Sequence, residues 1–369
     1  MSKKLTKMGW IVIVALLSLA LIVLPACGTP AEEEEEEEPE VITLKAATYF
    51  GSTTDQCVLL DAFCDDLESE SDGGLELERY WGGTLAGGPQ LYDAAADGSI
   101  DIVFVPLLYT GGRFPPMDVF AQPLGIPSGW VGSHAVQDVY NEFEFAQFDD
   151  THPLFFSMSA PLVMYTDQAV RTKADLSGMI IRTGPPNNCV LTSLGATPAS
   201  MPMPDVYEAI SKGQIDGVMI GCDGFTAWNL ADVVDYTTLP YVAGGDVFIT
   251  TMSNDAWDSL PADLQQVVTD VSADYADAIC EMWDDTNKAS MEVGEDEGVE
   301  LITLSATERD AWLAAMAGCS DAWVTSMVDK GYTQSDVEEW IAYAEERVEY
   351  WIDEQIDAGI SFLPGYPPS

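Results

Sequence analysis

The apolar positions change period repeatedly along the chain, and each change predicts an element. Residues 43–50 read as a first strand, with Ala46, Ala47 and Thr48 small enough for close packing or a ligand. Residues 55–70 place Cys57, Leu60, Cys64 and Leu67 three and four apart, the stripe of an amphipathic helix. Gly73-Gly74 then turns the chain into the alternating strand 75–80. Residues 81–88 hold too many glycines for a regular element, and no Lys-Ser or Lys-Thr follows them as a phosphate loop requires. Residues 89–97 form a short helix closed by Gly98. Residues 100–106 are apolar enough for a central strand of a parallel sheet. The alternation of strand and helix predicts an α/β fold.

A Gly- and Pro-rich loop at 110–127, a helix at 132–148 and a strand region at 155–166 lead into a second unit of the same kind. Met179-Ile180-Ile181 is a short buried strand entered through Gly178 and stopped by Gly184-Pro185-Pro186, which leaves Arg182 at a strand end. Asn187 or Asn188 can cap a following helix that runs through Leu194 and closes at Gly195, so the guanidinium faces a helix start, chemistry suited to a carboxylate. A structural salt bridge to one of the chain's many acids is the alternative for Arg182. A strand at 196–203, a helix at 204–212 with Pro204 at its first position, and a strand at 215–221 follow. From 261 to 297, Leu264, Val267, Val268, Val271, Tyr275, Ile279 and Met282 recur at helical spacing. Such a helix is about 50 Å long and can cross two domains. Ser335-Asp-Val-Glu338 reads as a capping box opening a last amphipathic helix with Val337, Ile341, Val348 and Ile352.

The N-terminus changes this picture from a cytosolic to an exported protein. Lys3, Lys4 and Lys7 precede an apolar run from 10 to 24, and Ala26 stands directly before Cys27. This pattern resembles a bacterial lipoprotein signal at 1–26 with the lipid on the Cys27 thiol; an uncleaved membrane anchor is the alternative. The acidic run 32–38 within residues 27–41 is an extended tether, since like charges repel and resist burial. The chain carries 14 basic and 62 acidic residues; loss of 1–26 removes three lysines and no acid, leaving 11 against 62, a formal charge of −51. That sign excludes nucleic acid and anionic lipid as general partners. So acidic a surface suggests a saline habitat, a hypothesis that equal stability in very low and high salt would remove. An anionic ligand should associate more slowly as salt is lowered, although a guanidinium in a closed cleft still acts at contact distance.

Besides Cys27 there are Cys57, Cys64, Cys189, Cys222, Cys280 and Cys319, with no Cys-x-x-Cys and only His134 and His152, so neither a metal site nor a cofactor is expected. Cys57 and Cys64 are two helical turns apart, too far to bridge readily, and read as core packing. Cys189 and Cys222 both follow strand ends, and a bridge between them is the expected pairing. No Gly-x-Ser-x-Gly or His-Glu-x-x-His occurs, and the chain is read as no enzyme.

Three ordered segments carry a family likeness: Arg171-Thr-Lys-Ala-Asp-Leu-Ser-Gly-Met-Ile-Ile-Arg182; Leu194-Gly-Ala-Thr-Pro-Ala-Ser-Met-Pro-Met-Pro-Asp-Val-Tyr-Glu-Ala-Ile210; and Gly213-Gln-Ile-Asp-Gly217. With Gly82-Gly-Thr-Leu85, Gly98-Ser-Ile-Asp-Ile102 and Trp257-Asp-Ser-Leu-Pro-Ala-Asp-Leu-Gln265, they resemble the dicarboxylate-binding type of TRAP-transporter solute-binding proteins over most of 42–330. The resemblance implies a two-domain α/β fold of the periplasmic-binding-protein kind, with a ligand cleft, crossing strands and a long domain-spanning helix. The expected division is 42–158 plus about 246–285 against about 159–245 plus 286–369. It also implies that Arg182 pairs with a ligand carboxylate. Val218, Met219 and Ile220 replace the family's acidic residue after the Asp-Gly pair, and 162–166 offers no second base. A smaller or more apolar acid is therefore expected, with no metal bridge. Tyr49, Trp81, Tyr207, Met219, Phe225, Trp228 and Tyr241 are the other candidates for the cleft, each with domain packing as its alternative. The expected role is extracytoplasmic capture of a small organic acid for membrane permease subunits, at the cell surface or in the periplasm. A lipid-tethered sensor and an exported hydrolase are the alternatives.

Overall fold

The computed structural model describes residues 41–366, Ala160 apart; the signal, Cys27 and the acidic run 32–38 lie outside the described residues. Residues from Val41 onward form one compact unit. The first half comprises β1 (Ile42–Thr48), α1 (Asp55–Glu70), β2 (Leu75–Tyr80), α2 (Gly88–Ala96), β3 (Ile102–Pro106), α3 (Gly129–Phe143) and β4 (Thr151–Ser159). Next come β5 (Val163–Thr166), β6 (Ile180–Arg182), α4 (Asn188–Leu194), β7 (Thr197–Ala199), α5 (Val206–Ser211), β8 (Gly217–Ile220), α6 (Gly224–Trp228) and β9 (Tyr236–Leu239). The chain then forms β10 (Asp246–Ser253), α7 (Asn254–Ser259), α8 (Ala262–Asp296), β11 (Glu300–Thr303), α9 (Ala306–Met316), α10 (Gly318–Asp329) and α11 (Gln334–Asp357).

The strands form two sheets, in the orders β2-β1-β3-β10-β4 and β11-β9-β5-β8-β6-β7. The α/β reading holds, and the predicted strand region at 155–166 is two strands, one in each sheet. The break lies around Pro161, whose ring fixes φ and removes a donor. The chain returns to the first sheet between β9 and β10. β4 pairs with β10 and β5 with β9, so the two crossings run side by side, tied by a hydrogen bond from the Leu162 N–H to the Gly244 carbonyl. A Cβ on Gly244 would lie 1.6 Å from the Phe120 carbonyl oxygen, so only glycine lets the crossing pass there.

The helix expected at 261–297 is α8, and it spans both halves as its stripe requires. Near its middle, Trp283 is fully buried and donates through Nε1 to Ser157 Oγ of β4 at 3.0 Å. Near its end, Ser290 Oγ accepts the Phe225 N–H of α6 at 3.1 Å, and a Cβ on Gly294 would meet the Phe225 ring at 2.2 Å. Cys57 and Cys64 are buried in the core beneath α1, as their spacing predicted.

Three local expectations are corrected. The last helix begins at Gln334, capped by the Thr333 side chain, which accepts from the Asp336 N–H, so Ser335 is inside the helix rather than at its cap. This helix also departs from the expected division, which grouped 286–369 with the second half: it rests on α3. Arg347 Nε and Trp351 Nε1 both donate to Asp138, and Ser128 Oγ donates to Gln355. Cys189 is bridged to Cys319 at the start of α10, and Cys222 is a free, buried thiol. Sequence adjacency to a cleft suggested the Cys189–Cys222 pair, whereas the packing of α9 beside α4, with Cys319 just after α9, brings residues 130 apart together.

Candidate ligand-binding site

The carboxyl ends of the parallel strands converge between the two halves, the usual position of a ligand crevice in α/β sheets. Tyr49 follows β1, Tyr109 lies in the turn after β3, Arg182 ends β6 and Asp223 follows β8. Asp246 opens β10, which runs antiparallel to β3 and so begins at the same end.

Arg182 is 2% exposed, and its Nε donates to the Met201 carbonyl at 3.0 Å, which fixes the guanidinium plane. Among the described residues no carboxylate forms an ion pair with it, in a chain with 62 acidic residues. Arg79, Arg113, Arg171 and Arg347 each hold at least one acid. A buried cation normally pairs, and this guanidinium is held by a backbone carbonyl instead. The asparagine caps expected next to it are not made. Asn187 forms no side-chain cap, and Oδ1 of both Asn187 and Asn188 is buried without a hydrogen-bond partner.

Aromatic rings form a wall beside the arginine. Tyr49 is stacked on Trp228 at 5.8 Å between centroids and meets Tyr109 edge-on at 5.4 Å; Phe50 tilts against Trp228 at 5.4 Å. Burial drives the Tyr49 hydroxyl well above its ordinary pKa; Tyr109, Asp223 and Asp246 add to the rise, while Arg182 opposes it. Asp223 receives Gln56 Nε2 at 3.3 Å; burial raises its carboxyl to about 7. Asp246 is raised to about 6 by burial, partly offset by Arg182. Tyr49, Tyr109, Arg182, Asp223 and Asp246 therefore share one electrostatic environment.

The halves are closed on each other here. Tyr109 of the first half accepts the Met203 N–H of the second through its hydroxyl at 2.9 Å, and the Gln56 to Asp223 bond makes a second link. A Cβ on Gly184 would touch Leu108 at 3.2 Å and Asp246 at 3.6 Å, so the loop after Arg182 fits against the first half because it lacks a side chain. Two cavities follow this seam: one of about 20 Å³ among Leu107, Leu108, Met117, Asp118, Asn187 and Asp246, and one of about 200 Å³ lined by Leu107, Leu108, Phe114, Asp118, Pro185 and Pro186.

Of the residues expected in the cleft, Arg182, Tyr49 and Trp228 come together. Trp81 instead donates through Nε1 to Asp61 on α1, and Tyr207 is 40% exposed on α5. Met219 faces the core built on Leu191, Leu194 and Trp312. Phe225 packs edge-on against Tyr165 beneath α8, and Tyr241 donates to the Pro364 carbonyl and packs on Tyr366. Tyr109, Gln56, Asp223 and Asp246 were missed. Strand-end position picks out three of them as it did Arg182, but among so many acids a single carboxylate carries no signal.

Residues 47–325 match the model of the DctP family, bacterial extracellular solute-binding protein, family 7. The chain belongs to this family. The likeness to TRAP solute-binding proteins seen in the motifs around Arg182 agrees with it, and family 7 comprises binding proteins rather than enzymes. A solute-binding protein of Albidiferax ferrireducens is 25% identical over 58% of this chain and 65% of its own length, so the aligned region spans just under two thirds of that relative. A TRAP solute-binding protein of Rhodoferax ferrireducens T118, solved with copurified benzoate, superposes with a TM-score of 0.80 at 25% identity, over 85% of this chain and 99% of that one. A marine metagenome protein from an unidentified microbe, described as specific for aromatic acids and solved with 3-hydroxybenzoate, gives 0.79 at 26% identity, over 85% and 99%. Among the described residues of this family 7 protein, no helix is long and apolar enough to cross a membrane.

Proposed function

We propose that this protein captures a small aromatic monocarboxylate outside the cytoplasm and delivers it to the membrane permease subunits of a TRAP transporter, tethered through a lipid on Cys27. The observation that carries the reading is Arg182: buried, held by a carbonyl, and paired with no carboxylate of its own chain. A ligand carboxylate supplies the missing charge through charge-assisted hydrogen bonds. Tyr49, Tyr109 and Trp228 offer flat apolar faces to a ring, and the benzoate and 3-hydroxybenzoate bound by similar structures support an aromatic body.

A dicarboxylate fits less well. β5 carries no base, so nothing near Arg182 answers a second charge, and Asp223 and Asp246 oppose it. Closure then follows from contacts the ligand makes with both halves at once. The test is calorimetric titration with benzoate of the wild type and Arg182→Ala. Removing one member of a buried charge pair weakens binding about 100-fold or more. The melting temperature should fall little, because the arginine has no ionic partner to lose. Equal benzoate affinity in the two proteins would refute the assignment.

A further inference from the structure

Besides Oδ1 of Asn187 and Asn188, one carboxyl of the site is left without a partner among the described residues. Among the described residues the Asp246 carboxyl receives no hydrogen bond and forms no ion pair, whereas Asp223 is held by Gln56. Asp246 lines the seam cavity of about 20 Å³ with Leu107, Leu108 and Pro186, and one carboxyl oxygen faces the position of a Gly184 Cβ at 3.6 Å. Arg182 lowers the Asp246 carboxyl against the effect of burial, and the Asp246 charge is felt at both Tyr49 and Tyr109. Arginine and aspartate are thus close enough to sense each other and do not touch.

We propose that Asp246 selects acids bearing a second polar group that donates a hydrogen bond, a ring hydroxyl or amino group, with the ligand spanning from its carboxylate on Arg182 to its donor on Asp246. This rests on the reading of Arg182 given above and names the substrate class of that site. The physical reason is asymmetry. An unsubstituted acid brings a negative charge beside an aspartate and leaves that aspartate without a donor, whereas a donor converts the same group into a charge-assisted acceptor. Sites built to pair a substrate hydroxyl discriminate against the analogue lacking it because their own polar group is then left unsatisfied.

Calorimetric titration of the purified protein with benzoate, the three hydroxybenzoates and the three aminobenzoates tests this. At least one substituted acid should bind about 10-fold or more tightly than benzoate. In Asp246→Ala that preference should fall to within about 2-fold, and in Asp246→Asn, which keeps an acceptor without the charge, to an intermediate value. Wild-type binding of benzoate as tight as that of every substituted acid overturns the inference and leaves acid capture standing. A preference as large as the wild-type one in either variant overturns it as well. If no acid binds the wild type, the reading of Arg182 and this inference fall together. Should Asp246→Ala fail to fold, the wild-type ratio and Asp246→Asn still decide.

Discussion

At the scale of single residues the site is a balance of one cation against acids held close to neutrality. Asp223 and Asp246 titrate at about 7 and about 6 because burial penalises their charged forms, whereas carboxylates of an unfolded chain titrate near 4. Between about pH 4 and 7 the native state therefore holds protons that the unfolded chain has released. These groups stabilise the fold at the acid end of that window, and their contribution is lost as pH rises through the folded values. The melting temperature of the ligand-free protein should thus rise as pH is lowered from 8 to 5.5, and Asp223→Asn should flatten the rise. Parallel wild-type and mutant profiles would show that Asp223 is not the titrating group.

At the scale of elements, α4 and α8 do most to set the geometry. α4 is two turns long, closed by Gly195 in the left-handed region at φ 97°, and too short to be stable alone. Its fixation comes from Val190, Leu191 and Leu194 in the core and from the Cys189–Cys319 bridge. Removing both cysteines as Cys189→Ser with Cys319→Ser frees a loop of 130 residues in the unfolded chain. This should cost about 2–4 kcal/mol, read from denaturant titration, if the bridge acts mainly on the unfolded state. A midpoint equal to that of the wild type would show that packing alone fixes α4. In α8 the informative position is Gly294, where the Phe225 ring occupies the space a Cβ needs. Gly294→Ala should destabilise by about 1–3 kcal/mol through overpacking, and a compensating Phe225→Leu should recover part of the loss in the same assay.

At the scale of the whole molecule, the proposed capture depends on two halves that meet over the ligand. Few direct polar links bridge the cleft, and the Tyr109 to Met203 hydrogen bond is one that a single substitution removes without touching a charge. Tyr109→Phe keeps the ring against Tyr49 and leaves the Met203 N–H without its acceptor. Binding of benzoate should weaken about 3- to 10-fold. Small-angle scattering of the ligand-saturated variant should show a larger radius of gyration than the wild type. Unchanged affinity and radius would mean that closure rests on the ligand and on apolar contacts such as Leu108 against Gly184.

Local periodicity was enough for the chain to declare its α/β class, the boundaries of α1 and β2, the 35-residue span of α8 and the strand-end position of Arg182. Those features depend on near neighbours: apolar spacing, glycine stops, and prolines that cannot continue an element. The lack of a second base near Arg182 was legible in the same way, because it is a statement about residue type. Which side chains surround the arginine was decided by the tertiary structure. Phe225 and Tyr241 have the composition of a binding wall, yet α8 and the C-terminal segment cover them. Tyr109, Asp223 and Asp246 reach the site from three separate strand ends. The partner of Cys189 was likewise set by helix packing across 130 residues. Contacts between distant segments follow from how the two sheets close on each other, and no short window of sequence contains that information.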